Sequence, residues 1–109
     1  MDKSTNIKTF FDLEERTFQF AEAMRLFIKT LPNTLSMIED SKQLVRASGS
    51  VGANYREANE SLSRKDFILR MRISKKEAKE CVYWLRLLIE TNHSQNITEA
   101  QNCSSKLLN

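Results

Sequence analysis

The sequence predicts an all-α protein, an antiparallel up-down-up-down four-helix bundle, from three observations. Apolar or small residues recur at alternating spacings of four and three along three long segments, which is typical of helices that bury one stripe. The chain contains only two glycines and one proline, so few residues interrupt a helix. Short polar segments separate the stripes, and short connections make neighbouring helices antiparallel.

The 109 residues are enough for one domain. We expect residues 1–11 to form a flexible N-terminal arm and residues 12–109 to form the bundle. The expected first helix begins at Asp12, because Glu15 three residues later resembles a capping box, and it ends at Pro32. Its stripe consists of Leu13, Thr17, Phe20, Met24, Phe27 and Leu31.

The second helix is expected from Thr34 or Ser36 to Leu62. Gly49 and Gly52 each disfavour a helix by about 1 kcal/mol relative to alanine. The stripe nevertheless stays in phase on both sides of them, which favours one continuous helix that a neighbour approaches closely. The alternative is a kink near one of the glycines. The stripe consists of Met37, Ser41, Leu44, Ser48, Val51, Tyr55, Ala58 and Leu62.

The third helix is predicted to begin at Ser63, with Asp66 as its capping partner, and to end near Asn92 and His93. A polar loop over residues 93–97 and a fourth helix from Thr98 are expected to follow. The chain reaches about three turns of that fourth helix, which we therefore expect to be short or truncated. The third stripe consists of Phe67, Met71, Ser74, Ala78, Cys81, Leu85 and Leu88.

The composition points away from an enzyme. One histidine and two cysteines offer no metal-ligand spacing, and no glycine-rich phosphate loop is present, so we expect no metal, no cofactor and no catalytic residue. His93 is expected to be a capping or surface residue, and Cys81 a small core residue. No apolar run approaches the roughly 18 residues of a membrane span, and no signal peptide is recognisable, so a cytoplasmic protein is expected.

The third helix carries a second apolar stripe on another side. An exposed stripe that includes a tryptophan is typical of a subunit interface. The alternative is that the first or fourth helix covers it. Glu77 and Glu80 lie close to the stripe and must pair or lie at its rim. The stripe consists of Leu69, Ile73, Trp84 and Leu87.

The third helix is also the most basic segment, since residues 64–86 hold eight basic and three acidic residues, in a chain of net charge +3. A cluster on one side could bind phosphates, with a tyrosine available for base stacking. The alternative is a solvated face. Without a groove-reading motif, binding should be largely independent of sequence. The cluster, here called the basic face, consists of Lys65, Arg72, Lys76, Lys79, Tyr83 and Arg86. On the second helix, Arg56 and Glu60 are expected to form an intrahelical ion pair.

Three motifs support a family resemblance. The second helix reads S-x-x-A-N-x-x-E-A at Ser50, Ala53, Asn54, Glu57 and Ala58. The third helix opens with S-R-K-D-F from Ser63, and Phe11-Asp12-Leu13-Glu14 is similar to the family's F-E-D-L opening. The chain resembles the bacterial four-helix-bundle proteins encoded in 23S rRNA intervening sequences, and also the accessory proteins of diversity-generating retroelements.

This resemblance implies a homo-oligomer, expected to be a pentamer, with a basic surface that binds RNA or DNA. It supplies no catalytic residues. Two alternatives stay open: a scaffold that docks a polymerase or another protein, and a passenger protein without a dedicated ligand.

Overall fold

The protein is all-helical, as predicted. The computed structural model describes the backbone of residues 3–108 and the side chains of residues 12–93. Within that part it contains three helices and no strand: α1 (Lys3–Ile28), α2 (Leu35–Asn59) and α3 (Arg64–Leu108). None of the helices described is both long enough and apolar enough to cross a membrane.

The central helix α2 is continuous through both glycines. Its N-terminus is capped by Thr34, whose hydroxyl oxygen accepts a hydrogen bond from the Met37 backbone N–H at 3.4 Å. α1 packs against the glycines, because a Cβ atom on Gly49 would lie 3.3 Å from the Arg25 Nη2 atom and one on Gly52 would contact Thr17. The prediction of an unbroken helix with a close neighbour is therefore confirmed.

The core lies where α1 and α3 both pack on α2. Every predicted stripe position of α2 from Met37 to Ala58 is buried. One polar contact joins the helices inside it, since the buried Ser74 hydroxyl donates to the Val51 carbonyl oxygen at 2.8 Å. This contact satisfies a hydroxyl that would otherwise be costly to bury. The buried apolar cluster consists of Leu31, Met37, Leu44, Ala47, Val51, Cys81 and Leu88.

The core is open between α1 and α3. In the part of the chain that the structure describes, no Cα atom of α1 lies within 8 Å of one of α3. No side chain between residues 12 and 28 is fully buried, although Phe20, Met24 and Phe27 pack against the core. On α3, Val82 and Ile89 remain 66% and 48% exposed. Three helices thus leave one apolar side uncovered.

Several predicted helix boundaries are wrong. α1 begins at Lys3 and not at Asp12, although the flexibility of an N-terminal arm stays a prediction. α1 ends at Ile28 and a turn precedes Pro32. α2 ends at Asn59, because the chain turns at Glu60, so Leu62 is fully exposed and is not a core residue.

The predicted end of the third helix near Asn92 and the loop over residues 93–97 are also wrong. α3 is helical from Arg64 to Leu108, and residues 98–108 continue it instead of forming a separate fourth helix. The physical reason is that residues 64–108 contain neither glycine nor proline, so no strong helix breaker lies at the predicted loop.

Candidate nucleic-acid interface

The start of α3 is capped by Ser63. The backbone N–H of Asp66 donates to the Ser63 hydroxyl at 3.1 Å, so Ser63 caps the helix as predicted. Asp66 itself lies in the first turn, where the helix dipole favours a carboxylate. The cap fixes where the helix begins, and the packing of α3 on α2 decides which side each later residue faces.

Arg46 of α2 binds Glu77 and Glu80, which are the acidic residues of segment 64–86 other than Asp66. Its Nη1 atom lies 3.1 Å from Glu77 Oε1, and its Nη2 atom lies 2.7 Å from Glu80 Oε1. Glu77 and Glu80 therefore pair, one of the two outcomes predicted for them. Because these carboxylates turn toward α2, they do not neutralise the cations on the outer side of α3.

The basic face is solvent-exposed along its whole length. All six of its residues are exposed, and none has an ion pair or side-chain hydrogen bond among the side chains of residues 12–93. The helical rise places Lys65 about 31 Å from Arg86. This length is comparable to one turn of a nucleic-acid duplex, about 34 Å. The face thus offers several free cations in one row, with Tyr83 among them.

Tyr83 is held by its neighbour Trp84. The two rings meet edge to face, with centroids 5.0 Å apart and planes 80° apart. Trp84 is half-buried and packs against the core cluster, whereas Tyr83 remains 59% exposed. An exposed aromatic ring on a fixed support is suited to stacking on a base.

The residues of the second stripe are only partly exposed to solvent. Leu69 is 52% exposed, while Ile73, Trp84 and Leu87 are half-buried. Trp84 contributes to the packing of the single chain, although in the described part no Cα atom of α1 lies within 8 Å of one of α3. Cover by the first or fourth helix stays an alternative. A subunit interface at this stripe stays a prediction.

The family-motif residues of α2 have structural contacts. Asn54 donates from Nδ2 to the Ser50 carbonyl oxygen at 3.0 Å and accepts a hydrogen bond from Arg70 Nη1 at 3.3 Å. Ala58 is buried, whereas Ala53 and Glu57 are exposed. The asparagine therefore helps to hold α3 against α2 and so positions the basic face.

Some interhelical contacts were missed by the sequence analysis. Arg56 pairs with Glu14 of α1 at 3.3 Å, so the expected pair with Glu60 is wrong. Asn59 donates to the same carboxylate at 2.9 Å. Arg25 donates to the Ser48 hydroxyl at 3.3 Å. Spacing within one helix carries no signal for such contacts, because they depend on how the helices are rotated.

Among the side chains of residues 12–93, the other potentially reactive residues do not cluster. Cys81 is buried, and burial, with Glu77 and Glu80 nearby, raises the pKa of its thiol to about 11. The protonated thiol is a poor nucleophile. His93 is exposed within α3, and Cys103 lies outside the described side chains. No three metal-ligating residues cluster in the described part of the chain.

The geometry defines an all-helical protein that displays a row of free cations on its longest helix. The family model of the 23S rRNA-intervening sequence protein matches residues 11–108. The chain belongs to this family. A solved structure from Bacteroides thetaiotaomicron VPI-5482, a protein of unknown function from the S23 ribosomal protein family, is also similar. It is 41% identical, with a TM-score of 0.66, and the match covers 73% of this chain and 74% of that one. No curated protein matches the chain.

Proposed function

We propose that the protein is a non-enzymatic, cytoplasmic nucleic-acid-binding module that contacts RNA or DNA backbones through the basic face. The observation that carries this proposal is the row of exposed cations without acidic partners in the described part of the chain. Arg46 supports it indirectly, because it binds the acids that would otherwise offset the cations. Such contacts read charge and shape and not base sequence.

We further propose that copies of the chain associate through the second stripe, as a cyclic oligomer expected to be a pentamer. Association would place several basic faces on one particle and so raise the affinity for a polyanion. The exposed Leu69 at one end of the stripe supports a contact there.

The four-helix arrangement also remains a proposal, supported by the open apolar side between α1 and α3. In the structure residues 98–108 continue α3, so a fourth helix from Thr98 would have to fold back after residues 93–97 to cover that side. In a Met24→Cys, Cys81→Ala chain, an oxidative cross-link within one chain to Cys103 would support this cover. The absence of that link would favour the continuous α3.

Fluorescence anisotropy with a labelled structured RNA and a duplex DNA, over a salt series, tests the binding proposal. We expect micromolar or tighter binding that weakens steeply as salt rises, because released counterions drive phosphate contacts. Absence of binding at low salt would contradict it. The second candidate, a scaffold that docks another protein through the partly exposed second stripe, would then be favoured.

A further inference from the structure

Tyr83 lies within the basic face and has a cation one helical turn away in each direction. Lys79 is four residues before it and Arg86 is three residues after it, which are the spacings of neighbours on one side of a helix. The helical rise puts these cations about 6 Å and about 4.5 Å from Tyr83 along the axis. Both are exposed, and among the side chains of residues 12–93 neither pairs with a carboxylate. One aromatic ring therefore stands between two side chains that can bind phosphates.

The ring of Tyr83 is both accessible and held in place. It is the aromatic residue of the basic face, and 59% of it is exposed. Trp84 contacts it edge to face, with ring centroids 5.0 Å apart, and Trp84 packs in turn against the core. A side chain that is ordered before binding loses less conformational entropy when a ligand stacks on it. The tyrosine is thus a prepared stacking surface.

A duplex has little that this ring can stack on. The bases of a duplex already stack on one another, and opening a base step costs free energy. Each strand also winds once around the axis in about 34 Å, so a straight row of cations meets its phosphates only where the strand crosses the row. An unpaired strand can instead run along the row, and its bases are free to stack on an aromatic side chain.

We propose that the basic face binds single-stranded nucleic acid in preference to duplex. An unpaired base stacks on Tyr83, and Lys79 and Arg86 hold the phosphates on either side of that base. RNA and DNA strands both supply this chemistry, a flexible polyanion with unpaired bases. The inference rests on the proposed function and adds the class of ligand. Glu90 is exposed on the same side one turn beyond Arg86, so its carboxylate bounds the binding site at that end.

Fluorescence anisotropy at one low salt concentration tests this inference with labelled strands of about twelve nucleotides, a length within the range of single-strand-binding sites. The probes are a thymidine strand, a uridine strand, the duplex of each with its adenosine complement, and an abasic DNA strand of equal length. The abasic strand keeps the phosphates but has no base to stack. The thymidine strand should bind at least about fivefold more tightly than the abasic strand and the duplex. The ratio of uridine to thymidine affinity ranks RNA against DNA.

Variants assign the stacking contact to Tyr83. Tyr83→Leu should weaken binding of the thymidine strand by about fivefold or more, and should leave binding of the abasic strand unchanged, because it removes the ring and no charge. Tyr83→Phe keeps the ring and should bind as the unchanged chain does. Phe18→Leu is the matched control, since Phe18 is 56% exposed on α1, which has no Cα atom within 8 Å of α3 in the described part. Lys79→Gln with Arg86→Gln should weaken binding of both strands, because it removes phosphate contacts.

Several results would overturn the inference. Equal affinity of the unchanged chain for the thymidine and abasic strands would remove the stacking contact, and this comparison needs no variant. Equal losses on both strands with Tyr83→Leu would show that the ring only supports the structure, and thermal denaturation shows whether that variant folds. Tighter binding of the duplex would remove the preference for single strands but keep the proposed function. Binding of no probe at all would remove both.

Discussion

Thr17 of α1 lies directly over Gly52 of α2, and a Cβ atom on Gly52 would stand 3.0 Å from Thr17 Oγ1 and 3.3 Å from Thr17 Cβ. The hydroxyl cannot turn away freely, since it donates to the Glu14 carbonyl oxygen at 3.0 Å. The absence of a side chain at Gly52 thus lets the two helices approach, which accounts for a residue that disfavours a helix in the middle of α2.

Gly52→Ala should therefore destabilise the protein by about 1 kcal/mol or more, because overpacking outweighs the gain of about 1 kcal/mol in helix propensity. Gly49→Ala is the matched control. Its nearest neighbour, at 3.3 Å, is the flexible end of Arg25, so stability should rise by up to about 1 kcal/mol. Urea denaturation measures both, and a stabilised Gly52→Ala protein would refute the close contact.

Arg46→Ala should cost about 1 to 3 kcal/mol, because it leaves the buried carboxylate of Glu77 without its cation. Adding Glu77→Gln should recover part of the loss. Lys42→Ala is the control, since its 3.2 Å pair with Glu39 is exposed at both ends and should contribute less than about 0.5 kcal/mol. Equal losses for the two single variants in urea denaturation would contradict the account.

Cys81 should make stability depend on alkaline pH. Its thiol pKa is about 11 in the fold against 9.0 ordinarily, mainly because burial disfavours the thiolate. The buried neutral thiol makes its full contribution to the free energy of unfolding below pH 9, and this contribution is lost as the pH rises toward 11. The stability difference between the unchanged chain and Cys81→Ala should therefore narrow by about 1 to 2 kcal/mol between pH 8.5 and 10.5. A difference constant with pH would show that the thiol is not shielded.

Leu69→Glu should reduce particle size if the second stripe joins copies of the chain. Because Leu69 is 52% exposed, the change should leave the stability of the single chain nearly intact. Trp84→Ala should instead lower stability by about 3 kcal/mol, since the ring packs on the core. Light scattering and thermal denaturation separate the two effects. Particles of unchanged size with Leu69→Glu would remove this stripe as an interface.

Much of the fold could be predicted because it depends on periodicity. The stripe of α2 remained in phase through Gly49 and Gly52, and Ser63 carried a capping signal that the structure confirms. Helix ends were harder to predict. Leu62 fits the stripe by spacing alone, but the chain turns before it is reached. The continuation of α3 past Asn92 was missed because polar residues suggested a loop, although none of them breaks a helix.

The candidate site was predictable to a similar degree. The exposure of the basic face follows from its position opposite the α3 stripe. The pairing of Glu77 and Glu80 with Arg46 needed the rotation of α2 relative to α3, which no single-helix pattern contains. The packing of Trp84 could not be predicted for the same reason. Its position on the second stripe suggested an interface, but its ring also packs against the core of its own chain.

The most direct test of the basic face is the salt dependence of RNA affinity for Arg72→Glu with Lys76→Glu. Arg16→Glu with Lys42→Glu is the control. It changes the net charge by the same amount as the α3 variant, but on α1 and α2. The account predicts at least about tenfold weaker binding, and a salt slope shallower by about 1.5, for the α3 variant, with a much smaller effect for the control. Equal losses in the two variants, or unchanged binding by the α3 variant, would contradict it.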